Sequence, residues 1–347
     1  QIGTDEPAAT GDENRRHDAR MLPHPPELGK REDGAPTGPS RAADKLVLRP
    51  IDGGGRIRRE MDFPPDNRMA GPTLLRQCQL VQLRLLKILD IVCAEKGWRY
   101  WLDGGTLLGA VRHRGFIPWD DDVDVAMPRE DYEAFCRETA PLLPPDTFLA
   151  TAQTDPTFPH THIAKMHDRH SWYKVRRPLA NPIRFHEGID IDIFPADRVR
   201  KSRQNLARLT GRLLNPVYVH GPGYVRSNLL KTPVIELRRL IGKRRLLGAF
   251  RQLCTARTAT EPAYWFQLFK AKVFPRLWLE DDDLFPLQRL PFEDGIFSAP
   301  RNPDKYLRLM YGDYRQLPPE EQRLHHAAEI LLTTPCPHPE SRPWPAT

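Results

Sequence analysis

A glycine pair followed by a run of aspartates limits the fold of this chain more than any other feature. Gly104-Gly105 leads into a short predicted helix, Thr106–Val111, and sixteen residues separate Gly105 from Asp122. A glycine turn at the start of a helix lets backbone N–H groups approach a phosphate without a Cβ in the way. The aspartates merge into the alternating residues Val123–Val125, which favour a β-strand. The segment therefore predicts a phosphate-binding turn beside an acidic strand.

Two of these aspartates, Asp122 and Asp124, are candidates for binding a metal ion. On a strand their side chains share one face, about 6.6 Å apart along the chain. Two such carboxylates can share hard divalent cations, which then bridge phosphate oxygens. The alternative is a glycine turn followed by an acidic surface loop. Four aspartates within Asp120–Asp124 would repel one another strongly without a cation, so we favour the metal site.

A second acidic pair lies in the segment GIDIDIFP. Asp190 and Asp192 alternate with isoleucines, so the predicted strand has one apolar face and one carboxylate face. This strand offers a further metal ligand from a neighbouring position in the sheet. The alternative is an ordinary half-exposed strand.

Other residues near the acidic pairs are weaker candidates. Arg112 is expected to neutralise phosphate charge through a bidentate contact, and pairing with the aspartate run is the alternative. Lys165, on or just after a predicted strand, is expected to meet a phosphate as a point charge. Trp98, Trp101 and Trp119 flank these segments and are able to contact a quaternary ammonium group, although tryptophans of this kind are more often core residues.

The whole chain divides into a leader, a folded body and a tail. Residues 1–70 are rich in Pro, Gly and charge without a sustained apolar period, so we expect a disordered leader. Residues 71–333 form the body, and the Pro-rich residues 334–347 form a loose tail. No stretch approaches the roughly 18 uncharged apolar residues of a membrane-spanning helix.

Apolar spacing and capping residues predict the elements of the body. An amphipathic helix starts near Thr73 and ends at Gly97, and a later helix lies between Asn302 and Gly312. Pro128 is expected as the first residue of the helix after the acidic strand. Strands are predicted at Arg99–Leu102, Phe148–Thr151, His162–Met166, Ser171–Val175 and Gly188–Phe194.

Positive charge is concentrated in residues 198–257, here called the basic block, which contain fifteen Lys or Arg and one acidic residue. The formal charge of the whole chain is +7, so the remainder is net negative. Such a block favours an anionic neighbour: a lipid headgroup surface, an anionic glycan or a nucleic acid. A solvated helical face is the alternative. We expect the basic block to be a helical insertion interrupted by prolines.

Three separated motifs of this chain resemble those of the LicD family, which includes the fukutin-type proteins. YWLDGGTLLGAVRHRGFIPWDDDVDVAM is similar to the family signature, GIDIDIFPAD to its second motif, and PFEDGIFSAPRNPDKYLRLMYGDYRQLPP to its C-terminal motif. The resemblance covers roughly residues 73–325. It implies an α+β fold of the nucleotidyltransferase type, with a mixed β-sheet flanked by helices.

The resemblance also implies a function. Family members move a phosphorylated alcohol such as phosphocholine from a CDP-activated donor to a sugar hydroxyl. A CDP-linked donor and a glycan or lipid-linked glycan acceptor are therefore the expected partners. Gly104, Gly105 and Thr106 would cradle the donor phosphates, with Arg112 and Lys165 as further donor-binding candidates.

The same resemblance assigns a role to the carboxylates. Asp122, Asp124 and Asp192 would bind Mg²⁺ or Mn²⁺ and carry the reaction. Asp192, directly before the Ile-Phe-Pro turn, fits the third ligand position better than Asp190, which stays a further ligand candidate. The sixteen residues between Gly105 and Asp122 exceed the spacing of simpler nucleotidyltransferases but are usual for LicD-like chains.

Two other functions stay open at this point. A nucleotidyltransferase would use the same carboxylates on the α-phosphate of an NTP, and only product analysis separates it from a phosphotransferase. A non-catalytic protein would bind nucleic acid or a membrane through the basic block. For the enzyme we expect no nucleic-acid partner and a peripheral contact with an anionic membrane at most. The expected location is the cytoplasm, or the Golgi lumen if an anchor preceded Gln1.

Overall fold

The computed structural model describes residues 61–154, 158, 163–175, 188–214, 245, 248–250, 252, 262–268, 270, 274–323, 325 and 327–332. Most of the expected leader and the whole of the expected tail lie outside these residues. Residues 61–70, however, belong to the folded body. Arg68 lies in a 3₁₀ turn, and its buried guanidinium donates to Asp168 at 2.6 and 3.1 Å. The folded body thus begins before the boundary expected at residue 70.

Helices and strands follow one another in irregular order along the described chain. The strands are β1 (Trp101–Leu102), β2 (Asp124–Pro128), β3 (Thr147–Ala150), β4 (Ala164–Asp168), β5 (Ser171–Val175), β6 (Asp190–Arg200), β7 (Ala263–Phe266), β8 (Gln288–Phe292), β9 (Gly295–Ala299) and β10 (Ala327–Leu332). The α-helices are α1 (Leu74–Lys96), α2 (Gly104–His113), α3 (Arg129–Glu138), α4 (Gln204–Leu214), α5 (Asp281–Leu284) and α6 (Pro303–Tyr311). Short 3₁₀ turns lie at Arg68–Ala70, Ala140–Leu142, Lys201–Arg203 and Glu320–Gln322.

Helix α1 has the caps and the buried face expected from its sequence. The Thr73 side chain accepts a hydrogen bond from Arg76 N, and Gly97 ends the helix with a φ of +69°. Leu85 and Leu89 are fully buried, and the helix packs against β4 and β6. The Asn and Gly caps predicted for α6 are also present. Both predicted helices are therefore confirmed.

The main sheet has the strand order β1-β2-β6-β4-β3, and β7 pairs with the second half of β6. Strands β2 and β6 run parallel, and the other pairs are antiparallel. Helix α1 packs on β4 and β6, α2 on β2, and α3 on β2 and β6. Smaller antiparallel pairs join β5 with β10 and β8 with β9. The predicted mixed sheet flanked by helices is confirmed.

Alternation along β6 separates the core from a polar face. Ile189, Ile191 and Ile193 are fully buried in the core. Asp190 and Asp192, between them, point to the other side of the strand because successive side chains alternate. The polar face of the sheet is therefore where the predicted metal ligands lie.

Several boundaries differ from the predicted ones by a few residues, and three of them bear on the site or the basic block. Strand β2 begins at Asp124, so Asp122 lies before the strand rather than on it. Strand β6 continues to Arg200, so Arg198 and Arg200 of the basic block lie in a strand rather than in a helix. Pairing with β7 explains this extension. Pro128, expected inside a helix, ends β2 and directly precedes α3.

The basic block is described only in part. The 3₁₀ turn after β6 and helix α4 have the helical character that was predicted. Most of the later residues of the block lie outside the described chain. Among the residues that the structure describes, no helix combines the length and the apolar character needed to cross a bilayer.

Candidate active site

The pairing of three strands places acidic and basic side chains in one row. In the parallel β2–β6 pair Asp124 lies opposite Asp192, and in the antiparallel β4–β6 pair Lys165 lies opposite Asp192. Neighbouring strands are about 4.8 Å apart, so side chains on one face of the row touch. Lys165 Nζ lies 2.6 Å from Asp192 Oδ1.

Asp122 joins two members of this row from the residues just before β2. One carboxylate oxygen from each of Asp122, Asp124 and Asp192 lies within 4.8 Å of the others. We call these three residues the acidic cluster. The structure thus brings together the three carboxylates expected to bind metal. The prediction that Asp122 lies on the strand is wrong, because β2 starts two residues later.

Burial and repulsion from neighbouring carboxylates raise the pKa values of all three carboxyl groups. Burial is the largest cause for Asp122, followed by the charges of Asp124 and Asp192, and the pKa of Asp122 lies well above its ordinary value. Burial, opposed by the charge of Lys270, raises the pKa of Asp124 to about 6. Burial also raises the pKa of Asp192, although Lys165 opposes this shift. A nearby cation relieves repulsion of this kind.

The acidic cluster fits a hard divalent cation. Its ligand atoms are carboxylate oxygens, the donors that Mg²⁺ and Mn²⁺ prefer. Asp124 and Asp192 each pair with a lysine. Within the described part of the chain, no Lys, Arg or His forms an ion pair with Asp122. A metal ion beside Asp122 would supply a directly paired positive charge, which adds to the more distant charge of Lys165.

The glycine pair lies directly against the acidic cluster. Gly104 begins α2 with a φ of +55°, and a Cβ at this position would lie 2.3 Å from Asp124 Oδ2. A Cβ on Gly105 would lie 2.8 Å from Asp120 Oδ2. Glycine therefore permits an approach that a larger residue would prevent. Thr106 Oγ1 accepts a hydrogen bond from Asp124 N (2.8 Å), so Thr106 holds the backbone of a cluster residue.

Lys270, which the sequence analysis missed, is a second lysine of the site. Its Nζ lies 2.9 Å from Asp103 Oδ2, 3.2 Å from Asp124 Oδ2 and 4.6 Å from the centre of the Phe194 ring. Burial lowers the pKa of Lys270, but the charges of Asp103 and Asp124 outweigh it and raise that pKa above its ordinary value. No sequence motif includes this lysine, which lies 146 positions from Asp124 in the chain.

Lys165 and Asp190 lie beside the acidic cluster rather than in it. Lys165 Nζ contacts Asp190 Oδ1 at 2.7 Å in addition to its contact with Asp192. Asp190 pairs with Lys165 and lies 3.6 Å from His167 Nδ1, since the strand register places it opposite His167. Neither Lys165 nor Asp190 lines the cavity next to the cluster. That Lys165 meets a donor phosphate and that Asp190 binds the metal therefore stay predictions, and both residues lie outside the cavity lining.

The acidic cluster and the glycine pair open into a cavity of about 700 Å³. Arg112 lines this cavity as expected, and its Nη1 donates to the carbonyl oxygen of Tyr314 (2.8 Å) rather than to the aspartate run. Trp119, Phe274 and Tyr311 contribute aromatic rings to the wall. Trp101, in contrast, is fully buried in the core. The cavity is thus acidic at one end and aromatic along its wall.

Comparison with known proteins shows which family this site belongs to. Residues 97–205 match the nucleotidyltransferase domain described as LicD/FKTN/FKRP. The chain carries a nucleotidyltransferase domain of the LicD family. The lipopolysaccharide cholinephosphotransferase LicD of Haemophilus influenzae is 26% identical over 272 residues, which are 74% of this chain and 98% of that protein. The human ribitol 5-phosphate transferase FKRP is 41% identical over 66 residues, 19% of this chain and 12% of its own length.

The LicD domain contains every site residue predicted from the sequence, from Gly104 to Asp192. Lys270, Phe274 and Tyr311, which also line the cavity, follow the matched residues in the chain. The expected resemblance to the LicD family is confirmed over residues 97–205, and with it the expectation of a phosphotransferase enzyme. The cavity is therefore built partly by the LicD domain and partly by the chain after it.

Proposed function

We propose that this LicD-type phosphotransferase moves a phosphorylated alcohol from a CDP-activated donor to a hydroxyl group of a glycan or glycolipid. Mg²⁺ or Mn²⁺ would be held by Asp122, Asp124 and Asp192. The observation that carries the proposal is the contact between the acidic cluster and the glycine pair within one cavity. Phosphoryl transfer depends on this combination, because it proceeds mainly through positioning and charge stabilisation.

The charge of the cavity supports a metal-dependent reaction. Five carboxylates line it against the cations Arg112 and Lys270, which leaves a formal excess of three negative charges. A donor with a pyrophosphate group is itself anionic, so such a cavity would repel it. Divalent cations held by Asp122, Asp124 and Asp192 would offset this negative charge and would supply Lewis-acid stabilisation of phosphate oxygens.

Residues of this chain would bind the donor and receive the proton of the acceptor. The start of α2 presents backbone N–H groups to phosphate oxygens, and Arg112 adds a guanidinium group. The acceptor oxygen forms a new bond to the phosphorus that bears the alcohol, the bond from that phosphorus to the CMP oxygen breaks, and CMP leaves. The hydroxyl proton would pass to a carboxylate of the acidic cluster, which would act as the general base.

The donor alcohol in this proposal resembles choline. Trp119, Phe274 and Tyr311 line the cavity, and ring faces attract quaternary ammonium groups. The Haemophilus relative is named for cholinephosphate transfer and the human relative for ribitol 5-phosphate transfer. Ribitol carries no charge, so the aromatic wall favours the cationic alcohol.

The acceptor in this proposal is a cell-surface glycan such as lipopolysaccharide, free or attached to a lipid. The basic block would rest against an anionic membrane on the cytoplasmic side, where a lipid-linked acceptor is presented. Salt-dependent binding of the protein to anionic vesicles, compared with neutral ones, tests this part separately.

Thermal unfolding with Mn²⁺ and a panel of nucleotides tests the main proposal. We expect Mn²⁺ with CDP-choline to raise the melting temperature, and the rise to be lost in Asp122→Ala. Asp282→Ala is the matched control, since Asp282 is 94% exposed and does not line the cavity. A rise with CTP or ATP alone would overturn the CDP donor and favour nucleotidyl transfer. Release of CMP in the presence of a glycan acceptor identifies the reaction itself.

A further inference from the structure

We infer that Lys270 is a donor-binding residue whose ammonium group contacts a phosphate oxygen of the nucleotide at the glycine turn. This inference rests on the proposed function, because it assigns a role within the same cavity. It adds a residue that lies outside the matched LicD domain.

Lys270 lies where a phosphate would meet the glycine turn. A Cβ placed on Gly104 would lie 3.2 Å from Lys270 Nζ, so the ammonium group and the glycine backbone are immediate neighbours. The Lys270 side chain is only 6% exposed, and it lines the cavity. A ligand bound beside the Gly104 backbone therefore lies next to this ammonium group as well as to the Asp124 carboxylate.

The ammonium group has one donor available for a ligand. Nζ donates a hydrogen bond to Asp124 Oδ2 at 3.2 Å and forms an ion pair with Asp103 Oδ2 at 2.9 Å, so at most two of its three N–H groups are engaged. The Phe194 ring lies 4.6 Å from Nζ and offers only its face. No other acceptor is bonded to Nζ among the residues that the structure describes. An anionic oxygen in the cavity would complete the contacts of Lys270.

A hydrogen-bond network that reaches the core holds Lys270 in place. Gly104 N and Tyr306 Oη both donate to Asp103 Oδ1 at 2.7 Å, and Gln267 Nε2 donates to Tyr306 Oη at 2.9 Å. This fixed carboxylate keeps the ammonium group at the turn even when its other partner binds a metal. Burying two charges costs desolvation energy, so the Lys270–Asp103 pair contributes little net stability to the fold.

Lys165 provides a matched comparison within the same site. It is also largely buried and also bridges two carboxylates, Asp190 and Asp192, at 2.7 and 2.6 Å. It does not line the cavity. The two lysines thus share charge, burial and type of partner, and they differ in their access to a ligand.

Titration calorimetry with inorganic pyrophosphate and with CDP, each in the presence of Mn²⁺, tests the inference. For Lys270→Met we expect both ligands to bind at least about tenfold more weakly, as the loss of a charge-assisted hydrogen bond implies. Lys165→Met, which removes a cation paired with Asp192 outside the cavity lining, should weaken both ligands less than Lys270→Met does. Lys270→Arg should recover part of the loss because it keeps the charge.

Mn²⁺ titrated alone separates ligand contact from a merely structural role. Lys270 competes with a metal ion for Asp124, so Mn²⁺ should bind Lys270→Met at least as tightly as it binds the wild type. A structural role would weaken the binding of Mn²⁺ and of pyrophosphate together. If Lys270→Met does not fold, Lys270→Gln takes its place with the same expectation.

Three results would overturn the inference: unchanged pyrophosphate binding in Lys270→Met, equal losses in the two lysine variants, or weaker binding of Mn²⁺ alone. The proposed function fails in a different way. If the wild type bound CDP no more tightly than pyrophosphate, the CDP donor would be rejected. Pyrophosphate binding by Lys270→Met and by Lys165→Met would then still test the inference on Lys270.

Discussion

Two sets of carboxylates on or beside the main sheet differ in the cations that pair with them. Asp168 and Asp197 are each held by an arginine through two hydrogen bonds, from Arg68 at 2.6 and 3.1 Å and from Arg129 at 2.7 and 2.8 Å. The acidic cluster has a lysine for two of its members and no described cation paired with Asp122. A bidentate guanidinium satisfies a carboxylate within the fold. The contrast teaches that the arginine-held acids serve the structure, whereas the cluster is left for a ligand.

The largest expected effect is on the activity of Asp122→Asn. This change removes the charge of the cluster member that has no described cation partner, so we expect kcat/KM to fall about 10³-fold. CMP release from CDP-choline is the measurement, with Asp282→Asn as the control. Activity within tenfold of the wild type would remove Asp122 from the metal site and would blur the contrast between the two sets.

The second-largest expected effect is a loss of stability when an arginine-held carboxylate loses its arginine. Arg68→Met leaves the fully buried Asp168 without its cation, so we expect the free energy of unfolding to fall by about 3–5 kcal/mol in urea titrations. Mn²⁺ affinity of the folded protein should stay unchanged. The control is Asp294→Asn, which breaks the exposed pair with Lys87 and should cost less than about 1 kcal/mol. Equal losses in the two variants would contradict the structural role of Asp168.

Two glycine variants separate a loss of activity at the acidic cluster from a loss of stability elsewhere in the fold. Gly104 and Gly97 both have positive φ, so replacement by Ala should lower the stability of each variant by about 1 kcal/mol or more. A Cβ on Gly104 also collides with Asp124 Oδ2, whereas one on Gly97 meets nothing within 4 Å. We therefore expect kcat/KM to fall about 10²-fold in Gly104→Ala only. Similar activities in the two variants would show that Asp124 tolerates displacement.

The smallest expected effect is a gain in stability rather than a loss. In EDTA, Asp122→Asn should be more stable than the wild type by about 1–2 kcal/mol at pH 7, because it removes charge repulsion. The gain should vanish towards pH 4. The pKa of Asp122 is raised in the folded protein. Its ionisation therefore lowers the free energy of unfolding only above the ordinary aspartate pKa, and this loss grows as pH rises. Thermal unfolding of Asp122→Asn and of the wild type across this pH range measures the gain. Asp168→Asn is the comparison, and we expect it to be less stable than the wild type.

The acidic cluster can be predicted from the sequence because its members lie in short, strongly patterned segments. Asp122 and Asp124 belong to one aspartate run, and alternation with isoleucine shows which face of β6 carries Asp192. Patterns of this kind report which face a residue occupies. They do not report the partner strand or its register, which depend on contacts between distant residues.

The roles of the two lysines show where such reasoning stops. The sequence identifies Lys165 as a candidate but not its partner Asp192, because the register of β4 against β6 decides this contact. Asp190 has the same alternation as Asp192, yet the same register pairs it with His167. Lys270 belongs to no pattern, and only the folded chain brings it to Asp103.

The parallel pairing of β2 with β6 also has a kinetic consequence. Asp124 and Asp192 are 68 positions apart, and the connection between them contains α3 and the strands β3 to β5. We expect contacts that close such a long connection to form late in folding. Repulsion among the carboxylates therefore acts after the nucleus has assembled, and a bound divalent cation should slow unfolding while leaving the refolding rate almost unchanged.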